Sequence, residues 1–188
     1  MQSSERQQGI VTFVPSPEIL IFGYGNPSRG DDALGPLLLE RLEASLTPAL
    51  HEAVGGIELL TDFQLQVEHA FDLKGRRLVL FVDAHVSCPA PWQLTPLQAA
   101  EDVSYSTHAI SPASVLGVYQ QVLNETPPPC FLLAIRGERF ELGEPLTPQA
   151  EANLEAAEKM ILALCRIDRA TSQKGAAWED HHGASHRS

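Results

Sequence analysis

Apolar residues fall into two alternating patterns along this chain. Predominantly apolar runs stand at 18–24, 57–62, 77–85 and 130–135, as expected of strands covered on both faces of a parallel sheet. Between them, apolar residues recur every three or four positions, the signature of one helix face. Leu34, Leu37, Leu38, Leu42 and Leu46 stripe a helix over 33–45, with Glu40, Arg41 and Glu43 on its wet side. Residues 64–73 read as a second helix, with Leu65, Phe71 and Leu73 inward and Gly75 at its end. A third spans 113–124, its core face formed by Val115, Leu116, Tyr119 and Val122 or Leu123. The fourth spans 148–166, with Ala150, Leu154, Ala157, Ile161 and Leu164 inward. Thr147 is a favourable cap for it, and Pro148 suits its first position.

The connections are marked by turn residues. Pro48 and Gly55–Gly56 set a return loop after the first helix. Residues 88–104 form a longer polar link holding Pro89, Pro91 and Pro96. It predicts a short strand near 92–94 and a turn of helix at 96–101. Strand–helix alternation implies an α/β fold: a single three-layer domain over 17–168, with a twisted, mainly parallel sheet and helices on both faces. Residues 1–16 read as a flexible arm, within which 10–14 could add an edge strand. Residues 169–188 read as a disordered polar tail.

Composition narrows the function classes. The 188 residues suffice for one such core, and 44% hydrophobic with 20% charged content is that of a globular chain. A net charge of −11 argues against nucleic acid or an anionic membrane as partner. No apolar run approaches membrane-spanning length, and residues 1–8 lack the apolar core of a signal peptide. Cys88, Cys130 and Cys165 are odd in number and unpatterned, which fits a reducing cytoplasm and small structural residues better than a disulfide framework. His181, His182 and His186 could hold a metal loosely, but a solvated tail is the simpler reading.

The chemistry gathers after the first strand, in Gly23-Tyr24-Gly25-Asn26-Pro27-Ser28-Arg29-Gly30-Asp31-Asp32. A phosphate loop would carry Lys-Ser or Lys-Thr after Gly30, whereas two adjacent carboxylates repel a phosphate. The Gly-x-Gly-x-x-Gly spacing of a dinucleotide site is not met. These two departures disfavour a nucleotide-binding reading. Two readings remain open: one or both aspartates cap the following helix, or they belong to a metal site at the carboxyl end of a strand, where open α/β sheets place their ligands. Asp83 ends the most apolar strand and would lie level with this turn in a parallel sheet. His108 stands in the loop before the third helix, and Asp62 and Glu68 flank the turn after strand two. Asp32, Asp83 and His108 make an O,O,N donor set suited to zinc, nickel, manganese or iron.

At these residues the chain resembles the hydrogenase maturation proteases, which finish the large subunit of nickel–iron hydrogenases. The resemblance rests on Gly23-Tyr24-Gly25-Asn26 through Asp31-Asp32-Ala33-Leu34-Gly35, on Val82-Asp83-Ala84 and on Thr107-His108. It continues through Ile135-Arg136-Gly137 and 140–147, covering about 18–165. It implies an endopeptidase that removes the C-terminal extension of a nickel-loaded large-subunit precursor. The nickel arrives with that precursor, bound by its cysteines. Asp32, Asp83 and His108 would contact the metal; Asp31 and Asp62 are candidate general bases; Gly23, Gly25 and Asn26 would shape the turn. The alternative is a checkpoint protein that binds the same metallated precursor without cutting it. Many members carry Asp-Gly-Gly-Thr after strand two. This chain has Asp62-Phe63-Gln64-Leu65, which keeps the acid and replaces both glycines.

Overall fold

The computed structural model describes residues 17–100 and 110–182, with side chains to residue 166. The 1–16 arm, His108 and the end of the tail lie outside the described residues. Five strands form one sheet: β1 (Ile19–Tyr24), β2 (Ile57–Asp62), β3 (Leu78–His85), β4 (Trp92–Pro96) and β5 (Cys130–Arg136), in the order β2-β1-β3-β5-β4. Pairs β1–β2, β1–β3 and β3–β5 are parallel, and β4 closes one edge antiparallel to β5. The expected single α/β domain with a mainly parallel sheet is thus present. The chain leaves β1 for β2 on one side and later places β3 on the other, so the strand order reverses between β1 and β3. Ligand crevices of open α/β sheets form at such a reversal.

Helices cover both faces. On one, α1 (Leu34–Ser45), α2 (Pro48–Ala53) and α4 (Pro148–His182) enclose Ile21, Leu38, Leu42, Leu80, Leu133, Ile135, Leu154 and Ile161. On the other, α3 (Pro112–Leu123) and a 3₁₀ helix (Val67–Leu73) pack over Leu20, Phe22, Val79, Phe81 and Leu116. Alternate residues of β1 and β3 point to opposite layers, as strand geometry requires. Backbone contact replaces side chains where α1 crosses β1: a Cβ on Gly35 would lie 2.5 Å from the Tyr24 carbonyl oxygen, and one on Gly23 2.6 Å from that of Gly35.

Several elements differ from expectation for local reasons. The helix expected at 64–73 is a 3₁₀ segment, whose three-residue period aligns Val67, Ala70 and Leu73 toward the core. Phe71 therefore turns outward and is 56% exposed. The return loop contains α2, because Thr47 Oγ1 accepts the Leu50 N–H (3.2 Å), Pro48 starts the helix, and Leu50 and Val54 are buried. Residues 97–100 are not helical. Leu123 rather than Val122 faces the core, and Leu164 is half exposed while its neighbour Cys165 is buried. Backbone helix occupies 169–182, where the pattern predicts a disordered tail; no glycine or proline interrupts residues 149–174. All three cysteines are buried. Among the described residues, no helix is long and apolar enough to cross a membrane.

Candidate active site

The two adjacent aspartates have opposite environments. Asp31 is fully buried. Its Oδ2 accepts hydrogen bonds from the backbone N–H of Glu138 (2.7 Å) and Arg139 (3.1 Å) and from the Thr147 hydroxyl (2.9 Å), and its Oδ1 accepts the Thr147 N–H (2.7 Å). Burial alone would raise its pKa, but these donors outweigh it and hold the carboxyl below its ordinary value. Asp31 is therefore no general base: it is saturated with donors and closed to water. Nor does it cap the helix that follows it, since its carboxylate reaches across to the loop after β5. That corrects both sequence readings of this residue. Backbone bonds complete the clasp: Gly30 N–H to Glu144 O (3.1 Å), Asp31 N–H to Arg139 O (2.8 Å) and Gly143 N–H to Ser28 O (2.8 Å). Thr147 does cap α4, its Oγ1 accepting the Ala150 N–H at 3.1 Å.

Asp32 is half-buried, and its Oδ2 accepts the backbone N–H of Asn26 at 3.0 Å. It closes the turn from outside rather than capping α1, whose first turn shows no side-chain cap. Gly25 makes this turn, with φ +140; a Cβ there would stand 2.1 Å from the Asp32 carbonyl oxygen. Any other residue would push Asp32 away.

Asp83 lies near the carboxyl end of β3, beside Tyr24. The β1–β3 register pairs Gly23 with Val82, which sets Tyr24 and Asp83 side by side on the face that carries Phe22 and Phe81. The phenol hydroxyl stands close enough to the Asp83 carboxylate for the two groups to influence each other's charge. Burial pushes the Asp83 pKa up to about 6; the Tyr24 hydroxyl and the Ala84 N–H oppose that rise, and the Asp32 charge adds to it. Burial and the Asp83 charge likewise raise the Tyr24 phenol. Two carboxylates that repel one another in a partly desolvated site form an arrangement that a divalent cation would relieve, and their oxygens suit such an ion. Among the described residues no three His, Cys, Asp or Glu side chains converge on a metal position. The structure thus brings Asp32 and Asp83 together, and His108 lies outside the described residues.

Asp62 completes a row. It pairs in register with Tyr24, so Asp62, Tyr24 and Asp83 occupy neighbouring strand ends. Its Oδ1 accepts the Phe63 N–H (2.6 Å), while Oδ2 faces Gln66 Nε2 and His69 Nε2, each at 3.4 Å. Gly25, Pro27, Pro36, Thr61, Asp62 and Phe63 line a cleft of about 330 Å³, and the Phe63 ring is 66% exposed at its rim. Sequence reading did not single out Tyr24 or His69. Tyr24 was legible from its register with Asp83 once β1 and β3 were made neighbours. Nothing in the 64–73 pattern pointed to His69.

No family model matches the chain. The Hydrogenase 2 maturation protease of Escherichia coli (strain K12) is 30% identical over 159 residues, spanning 79% of this chain and 90% of that protein. Among solved structures, the hydrogenase maturating endopeptidase HybD from E. coli superposes with a TM-score of 0.60 at 29% identity, covering 79% of this chain and 92% of that one. The [NiFe] hydrogenase maturation protease HycI from Thermococcus kodakarensis KOD1 shares the fold, with a TM-score of 0.58 at 22% identity over 79% and 92% of the two chains. With the glycine turn, the strand-end carboxylates and the clasp in place, the chain is a peptidase and belongs to the hydrogenase maturation protease family.

Proposed function

We propose that this chain removes the C-terminal extension of a nickel-loaded nickel–iron hydrogenase large-subunit precursor and recognises the nickel bound there. The observation that carries this reading is that Asp32, in the turn after β1, and Asp83, near the carboxyl end of the adjacent parallel strand β3, lie at the strand-order reversal in a chain related to a Hydrogenase 2 maturation protease. In this reading the nickel is part of the substrate, held by the precursor's cysteines. Asp32 supplies a hard oxygen donor from the turn after β1, Asp83 one from β3, and His108 a nitrogen donor from the segment before α3. Tyr24 flanks the Asp83 carboxylate. Asp62, the acid left in the row once Asp31 is committed to the clasp, takes the proton of the attacking water.

Mass spectrometry of precursor mixed with this protein, with and without nickel loaded, tests the reading. It predicts a shortened large subunit plus a released C-terminal peptide in the nickel-loaded sample alone. Cleavage without nickel would remove metal recognition from the account. Binding with no change of mass would point instead to a checkpoint role.

A further inference from the structure

We infer that His69 is a positioning residue for Asp62 in the cleavage step, an assignment that rests on the reading above. His69 lies in the 3₁₀ segment behind β2, and its side chain is 15% exposed. Its Nδ1 accepts the backbone N–H of Gln66 at 3.0 Å. In the neutral ring the proton must then sit on Nε2, the nitrogen that faces Asp62 Oδ2 at 3.4 Å. The Gln66 backbone carbonyl in return accepts the His69 N–H at 3.2 Å, so the two residues hold each other. The ring also packs 4.6 Å from that of Phe22, which is buried in the core beneath it. Tautomer and orientation are therefore both set, and what they present is an N–H beside a carboxylate in the cleft wall, just outside hydrogen-bond geometry.

The other Asp62 oxygen is held by the Phe63 N–H at 2.6 Å. Its plane is thereby fixed at both ends, firmly at Oδ1 and loosely at Oδ2. Contacts of 3.4 Å are long for hydrogen bonds, and catalytic contacts commonly tighten only when substrate is bound. In the step assigned here, a water oxygen bonds to the scissile carbonyl carbon as Asp62 takes the water's proton. That proton passes to the amide nitrogen as the carbon–nitrogen bond breaks, yielding one new carboxyl end and one new amine end. His69 touches none of the reacting atoms. Once drawn within bonding distance, its N–H keeps one Asp62 oxygen turned toward the cleft.

Two substitutions separate this role from a merely structural one. His69→Asn keeps an acceptor near the Nδ1 position for the Gln66 N–H but has nothing that reaches Asp62. His69→Gln places an N–H near the Nε2 position. With the full chain and nickel-loaded precursor, His69→Asn is expected to lower kcat about tenfold to a hundredfold, as loss of a hydrogen bond to a charged group implies. KM should stay within about twofold of wild type, and His69→Gln should restore kcat to within a few-fold. In an Asp62→Asn background, His69→Asn should add little further loss. Equal kcat for the two His69 variants, or losses that multiply fully in the double variant, would overturn the assignment. If His69→Asn does not fold, His69→Gln decides: near-wild-type kcat supports the role, and a tenfold loss at unchanged Tm overturns it. Full activity of Asp62→Asn would also overturn it while leaving the nickel-dependent reading standing. Full activity of Asp83→Ala would instead strike at that reading.

Discussion

The carboxyl edge of the sheet has a fastened half and an open half. In the fastened half, the loop after β1 is bonded through its backbone to the loop after β5, and Asp31 collects four donors at 2.7–3.1 Å. In the open half, beyond β2, Asp62 Oδ2 meets its two side-chain partners only at 3.4 Å, and Phe63 stands 66% exposed. The same contrast separates Asp31 from Asp32, although the two are neighbours in one loop. A buried carboxylate that already accepts four hydrogen bonds stabilises a structure and has little left for chemistry. A half-buried one with a single backbone donor keeps its remaining oxygen positions for a ligand. The difference teaches that the two aspartates of the motif divide the work: one holds the loops, the other faces what the loops surround.

The comparison breaks most severely at Asp31. Replacing it with alanine leaves the Glu138, Arg139 and Thr147 donors without their acceptor and should cost about 4 kcal/mol, or roughly 10 °C in Tm for a domain of this size. Thermal unfolding followed by circular dichroism measures this. The pH dependence has a definite sign. The folded pKa of Asp31 lies below its ordinary value of 3.8, so its stabilisation is fully present above that value and is lost as pH falls through the folded pKa. The Tm gap between wild type and Asp31→Asn should therefore narrow in acid. A gap independent of pH would show that the clasp does not depend on the charge.

A second change transmits strain from the turn to the site. Gly25→Ala would set a Cβ 2.1 Å from the Asp32 carbonyl oxygen at φ +140. It should destabilise the fold by about 1–3 kcal/mol and reduce cleavage more than that loss of stability explains, because Asp32 must move. Unchanged kcat in a folded Gly25→Ala variant would show that the position of Asp32 is not critical. The smallest effect belongs to the open half. Phe63→Ala removes a ring that is mostly in solvent, so stability should change by about 0.5 kcal/mol or less, while KM for the precursor rises a few-fold because one wall of the cleft is lost. A large drop in Tm would mean that Phe63 serves the core.

Much of this arrangement was legible in the sequence because it depends on local pattern. The parallel strands announced themselves as apolar runs, and parallel pairing brings Asp62 and Asp83, near their carboxyl ends, level with one another, with Asp32 in the turn after β1. Other features depend on contacts between distant segments. The fate of Asp31 was hidden because its partners, Glu138, Arg139 and Thr147, lie over a hundred residues away, and an Asp before a helix looks like a cap whichever way it turns. The 3₁₀ segment at Val67–Leu73 was misread because Leu65, Phe71 and Leu73 fit a helical stripe loosely, whereas the tighter winding buries Ala70 and Leu73, half-buries Val67 and turns Phe71 out. His69 was invisible for the same reason: only the actual winding turns its ring onto Phe22 and toward Asp62.

The central claim is that Asp32 and Asp83 act together on the metallated precursor while the fold rests elsewhere. Mixing nickel-loaded precursor with wild type, Asp32→Ala and Asp83→Ala, and reading the mass of the large subunit over time, tests it most directly. The account predicts complete processing by wild type, a loss of at least about a hundredfold in rate for each variant, and Tm values for both within a few degrees of wild type. Normal processing by either variant would contradict it.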